Sequence, residues 1–174
     1  MTEFAGTSSA MSSVLMELLR HKTWATLRLI EYCQGLAPEH LDASLPGTYG
    51  SVRDTLRHLL ASDENYYRVL TGEDLGQASP TAGLGALAER FRELSKRWEF
   101  VMQDPSAPER EVENRWGFAL GVAPLAQSIH HADDHRTQVL SILGSRGLDV
   151  PELDVWAYGA EQGYVQYKAP APAA

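Results

Sequence analysis

Ile129-His130-His131-Ala132-Asp133-Asp134-His135-Arg136 holds three of the six histidines in the chain. Two of them, His131 and His135, stand four residues apart. On an α-helix that spacing stacks two side chains one turn apart on one face, so both imidazoles can reach a single divalent ion. The stretch reads as a helix carrying two-thirds of a metal site. A third ligand has to come from another helix, and the best candidate is His58, within Asp54-Thr55-Leu56-Arg57-His58-Leu59-Leu60. The fold this implies is all-α: a small bundle in which three histidines meet between helices.

The rest of the chain supplies the other helices. Small and polar residues occupy 1–10, which reads as a flexible N-terminus. A first helix is expected from Ser12 or Ser13 to near Gly35, with Val14, Leu15, Leu18, Leu19, Leu27, Leu29 and Ile30 at helical spacing. Pro38, Pro46, Gly47 and Gly50 punctuate a connection that is long for a bundle loop and so suggests a crossover or a wall of the site. Ser51 with Asp54 three residues on forms a variant capping box for the second helix, which runs to about Leu70 and stops at Gly72. Leu87, Phe91, Leu94, Trp98 and Val101 mark a third helix over 84–102. The segment Glu111-Val112-Glu113-Asn114-Arg115-Trp116 partly alternates, as an extended strand or short hairpin does. Pro124 suits the first turn of the fourth helix, which carries the histidines to a stop at Gly144 or Gly147. A short aromatic helix around 153–158 and a disordered Pro/Ala tail at 169–174 complete the reading, leaving 11–168 as one four-helix domain.

Composition narrows the function. A chain of 174 residues with 44% hydrophobic content builds one core comfortably and two poorly. A net charge of -8 without any Lys/Arg cluster argues against nucleic acid and against an anionic membrane surface as partners. The lone Cys33 cannot form an internal disulfide, and its apolar surroundings suit a packed residue better than a nucleophile. The N-terminal residues lack the charge and apolar run of a secretory signal, and no stretch reaches the length of a membrane span, so a cytoplasmic protein is expected.

A helical wheel tests the metal reading. With about 100° per residue, His135 lies about 40° from His131, and Leu125, Ile129, Val139 and Leu143 cluster on the adjacent arc. His58 likewise flanks the stripe of Val52, Leu56, Leu59 and Leu70, with Asp54, Ser62 and Asn65 within about 40° of it. All three histidines therefore border the core beside polar strips, as residues around an interhelical pocket do. His130 projects about 100° away from His131 and is the decoy.

Blander readings compete. With six histidines in the chain, an i, i+4 pair arises by chance in about one such chain in five. Zinc-protease chemistry of the HExxH kind needs Glu where Ala132 stands, and Asp134, the stand-in for Glu in the inverted pattern, points away from the pair. Asp133, Asp134 and Glu64 read as solvated or paired surface charges, His21 and His40 as surface or loop residues, and the Trp and Tyr residues as core.

The run Gly50-Ser51-Val52-Arg53-Asp54-Thr55-Leu56-Arg57-His58-Leu59, then Asp63-Glu64-Asn65-Tyr66-Tyr67, Gly72, His131-x-x-x-His135-Arg136-x-Gln138 and Leu153-Asp154, resembles the DinB (DinB/YfiT-like) family over nearly the whole chain. The resemblance implies a four-helix bundle, often homodimeric, that holds zinc, nickel or a related ion through His58, His131 and His135. Two departures are His130, where the family often has Asn, and Thr137, where it often has Gly. Known activities in the family are transfer of a low-molecular-weight thiol such as bacillithiol or mycothiol to an electrophile and thiol-dependent isomerisation, while many members have no assigned reaction.

The expectation is a metal-dependent thiol S-transferase acting on a small-molecule substrate, with water or a thiol at an open metal position rather than a catalytic side chain. Asp54 serves either to orient His58 or to cap its helix. Hydrolysis of a small molecule is the runner-up. A non-catalytic dimeric bundle that binds metal or ligand is the reading of another class.

Overall fold

The computed structural model describes residues 7–76, 78, 79, 81–114 and 117–167. In chain order these form α1 (Thr7–Gln34), the single turn α2 (Pro38–Leu41), α3 (Val52–Thr71), α4 (Leu84–Val101), the antiparallel hairpin β1 (Glu111–Asn114) and β2 (Gly117–Leu120), α5 (Val122–Ser145) and α6 (Val155–Glu161). The four long helices α1, α3, α4 and α5 are the bundle. Within it α3 packs most extensively on α5, and α1 on α4.

Local chemistry sets the helix ends. Ser51 Oγ accepts from the Asp54 N–H at 3.1 Å and donates to the Asp54 carboxylate at 2.7 Å, so Asp54 serves the α3 N-terminus. Gly72 closes α3 at φ 76°, returning its N–H to the Arg68 carbonyl. Gly121 opens α5 where a Cβ would collide with the Ala107 carbonyl and the Leu70 side chain, so a larger residue would displace the helix that carries two histidines.

The apolar stripes meet in one core. Leu29, Ile30 and Cys33 from α1, Leu56, Leu59 and Leu60 from α3, Leu87, Leu94 and Trp98 from α4, and Leu125, Ile142 and Leu143 from α5 are all nearly inaccessible. Each such aliphatic or aromatic side chain stabilises the fold by about 1.5–3 kcal/mol relative to exposure.

A polar network threads this core. Lys22 Nζ of α1 donates to both oxygens of Asp63 on α3 at 2.7 and 2.8 Å, and Trp98 Nε1 of α4 donates to the same carboxylate at 3.2 Å. Arg136 of α5 is 2% exposed and donates at 3.2 Å to the Lys22 carbonyl and to Thr26 Oγ1 on α1. Burial pulls the Lys22 ammonium below its ordinary range, against the opposing attraction of Asp63.

Several expectations change. Thr7–Ala10, expected to be loose, are already helical, and α2 interrupts a connection read as irregular, with Pro38 in its first turn. The remaining residues of the expected flexible N-terminus and the expected tail lie outside the described residues. The segment read as an extended strand or short hairpin does enter a hairpin through Glu111–Asn114, with Glu111 paired to Leu120 and Asn114 to Gly117, while Arg115 and Trp116 lie outside the described residues. His21 is no surface residue: it is buried, with Nε2 2.8 Å from the Leu153 carbonyl, because α6 and the chain before it fold back over α1. Glu64 is buried as well, ion-paired to Arg90 of α4, which also donates to the Leu75 carbonyl.

Removing one partner of the Lys22–Asp63 pair strands a buried charge. Lys22→Met or Asp63→Ala should each cost about 3–5 kcal/mol in urea unfolding. Lys22→Met/Asp63→Leu together should recover most of that loss. Single variants within experimental error of wild type would show that this pair does not hold the helices.

Candidate metal centre

The polar strips of α3 and α5 face each other across the bundle. His58 Nε2 lies 3.1 Å from His131 Nε2, and the ring centroids of His58 and His135, and of His131 and His135, are 4.8 and 4.4 Å apart. One donor atom from each of the three rings lies within 4.8 Å of the others, a group that could hold a metal ion. Two ligands of a tetrahedral ion at the usual zinc–nitrogen distance sit about 3.3 Å apart, so the His58–His131 spacing suits a shared ion.

Neighbouring residues settle the chemistry of the rings. The Gln138 side-chain carbonyl accepts the Tyr49 backbone N–H at 2.9 Å, so the atom 3.2 Å from His135 Nδ1 is an acceptor. His135 Nδ1 therefore carries the proton, and its Nε2 keeps the lone pair that a ligand needs. Tyr49 stacks on His58 with ring centroids 3.9 Å apart and meets His135 edge-on at 5.5 Å. Tyr66 meets His131 edge-on at 5.6 Å. Burial is the main cause holding His58 below its usual pKa, and the neighbouring His135 imidazole adds to it. Burial, then the repulsion that a proton on His131 would meet from the adjoining imidazoles of His135 and His58, pushes His131 down to about 4. Both rings are thus neutral at pH 7, the form that binds metal.

Beside the triad opens a cavity of about 930 Å³, walled by α3, the hairpin and the start of α5. Ser62, Asn65 and Tyr66 of α3 and Gln127 of α5 line it together with His58 and His131.

A family model, the DinB family, matches residues 11–166. The chain belongs to the DinB family. The fold is similar to the crystal structure of a DinB-like protein from Bacillus subtilis, with a TM-score of 0.62 and 16% sequence identity over 79% of this chain and 97% of that one. No curated protein matches. The two departures from the DinB pattern stay clear of the cavity. His130 is exposed on the outer face, 3.3 Å from Asp134, and Thr137 is exposed too.

Sequence reasoning brought His58, His131 and His135 together and set His130 apart, as the structure does. Of the two roles weighed for Asp54, the structure shows the cap, with Arg57 also 3.7 Å from the carboxylate. Asp133 and Asp134 are exposed and paired as expected, to Arg136 and His130. Reasoning missed Tyr49, for which the only signal was that its connection was read as a wall of the site. It gave Gln138 no role, although Gln138 follows His135 by three residues and His131 by seven and so shares their helix face.

Acid should test the rings in chelator-treated protein. Because His131 takes up its proton less readily folded than unfolded, its contribution to stability is complete above about pH 6.5 and is lost as pH falls towards 4. Thermal melts should fall across that window, and less steeply for His131→Asn. Identical pH profiles would mean that the ring titrates normally.

Proposed function

We propose that this DinB chain is a metal-dependent transferase that joins a low-molecular-weight thiol, of the bacillithiol or mycothiol type, to a small electrophile. His58, His131 and His135 would hold the ion, with zinc or nickel the best suited. The observation that carries the reading is the convergence of three imidazoles beside a cavity large enough for a small molecule. The chemistry supplied by such an ion is the lowering of a thiol's pKa, so that a thiolate is available at neutral pH.

The chain's own groups do the rest. Gln138 fixes the tautomer and orientation of His135, and Tyr49 covers one face of His58, keeping water from it. Ser62 Oγ, 3.5 Å from His58 Nε2, offers a hydroxyl beside the ring. The thiol proton leaves to solvent, the sulfur forms a bond to the electrophilic carbon, and the leaving group departs with its electron pair. Hydrolysis of a small molecule would use the same three ligands, and thiol consumption separates the two reactions. Metal-loaded protein incubated with thiol and an alkylating electrophile should consume both in equal amounts, whereas a hydrolase would leave the thiol untouched.

We also propose that the protein is a cytoplasmic homodimer. Among the described residues no helix is long and apolar enough to cross a membrane. Sedimentation should give about twice the 19.2 kDa of one chain. A stable monomer at micromolar concentration would contradict this.

The ligand set has its own test. An ion that binds only the folded state at a hundredfold excess over Kd adds about 2.7 kcal/mol, which for a chain of this size raises Tm by roughly 5–10 °C. Wild type and His130→Ala should show that rise with zinc or nickel, and His58→Ala, His131→Ala and His135→Ala little or none. Full stabilisation of His58→Ala would overturn the three-histidine set.

A further inference from the structure

The cavity runs along α3, lined by His58, Ser62, Asn65, Tyr66, Arg68 and Val69 of that helix. His58 and Arg68 are ten residues apart, which on a helix is about 15 Å of axial rise. The cavity is therefore long, with the imidazoles at one end and a guanidinium at the other.

That guanidinium is unusual in this protein. In a chain of net charge -8, every described Lys and Arg side chain except Arg68 and Arg146 lies within 4 Å of a carboxylate. Both exceptions sit at the C-terminal end of a helix, where the helix dipole favours a cation, but Arg68 lines the cavity and Arg146 does not. Arg68 Nη2 donates to Asn65 Oδ1 at 2.8 Å, which steadies the group while leaving N–H donors to spare. Glu113 also lines the cavity, yet Arg68 makes no ion pair with it or with any other described acid.

We infer that Arg68 is a specificity residue that receives a carboxylate of the thiol co-substrate, at the far end of the cavity from the sulfur. The inference rests on the thiol-transferase reading and deepens it: the co-substrate is an extended thiol with an anionic group on the order of 10–15 Å from its sulfur, since helix side chains lean towards the N-terminus and Arg68 leans back towards His58. A planar guanidinium suits a carboxylate because two parallel N–H bonds fit its two oxygens.

The test uses zinc-loaded protein and thiols that differ only at the far end: ω-mercaptooctanoate against ω-mercaptooctanol, and mercaptoacetate against mercaptoethanol as pairs too short to reach. Kd is measured by calorimetry. Wild type should bind the long acid about tenfold more tightly than the long alcohol, the size of one charge-assisted bond, and this preference should shrink at high salt. The short pair should show no preference that depends on Arg68. Arg68→Gln should bring the long-pair ratio to about one, and Arg68→Lys should retain part of it. Equal affinities for the long pair in wild type, or an unchanged ratio in Arg68→Gln, overturn the subsite alone. Failure of all four thiols to bind overturns the subsite together with the thiol reading beneath it.

Discussion

The carboxylate of Asp63 is the point on which the bundle turns. It belongs to α3, accepts from Lys22 of α1 and Trp98 of α4, and is backed by Arg136 of α5, which holds the α1 backbone at Lys22. Burying these charges costs several kcal/mol per ion in lost hydration, so the network contributes little net stability. Its effect is on register. Bonds at these lengths fix how α3 and α5 are rotated and how far they have slid. His58 lies five residues before Asp63 and His135 immediately before Arg136, so the same bonds that align the helices align the imidazoles.

A looser layer completes the site. The segment between α2 and α3 turns at Gly47, where φ is 86°, and brings Tyr49 over His58 and His135. Gln138 joins that segment to α5 and to His135 with one carbonyl oxygen. Helices thus carry the three rings, while an exposed aromatic residue covers two of them. A site that must admit a small molecule needs a rigid floor and a side that is less deeply packed.

How much of this was legible follows from what each feature depends on. The long helices, the Ser51 cap and the Gly72 stop are local, so spacing and turn chemistry sufficed to place them. The histidines were legible because side chains that meet between helices leave a periodic trace beside an apolar stripe. Lys22, Arg136, His21 and Glu64 were not. Their burial is decided by partners in other elements 26 to 132 residues away in the chain, such as Arg90 for Glu64 and the Leu153 carbonyl for His21. Amino-acid type alone assigns such residues to the surface. Tyr49 escaped for a related reason, because a loop residue's role depends on where the loop lands.

The central claim is that three imidazoles from two helices hold one ion with a position left for a thiol. X-ray absorption at the edge of the metal retained by protein purified without a histidine tag tests it most directly. Zinc held by the triad should show three imidazole nitrogens at about 2.0–2.1 Å, and a sulfur at about 2.3 Å once thiol is added. A shell without imidazole, or one that thiol leaves unchanged, would contradict it.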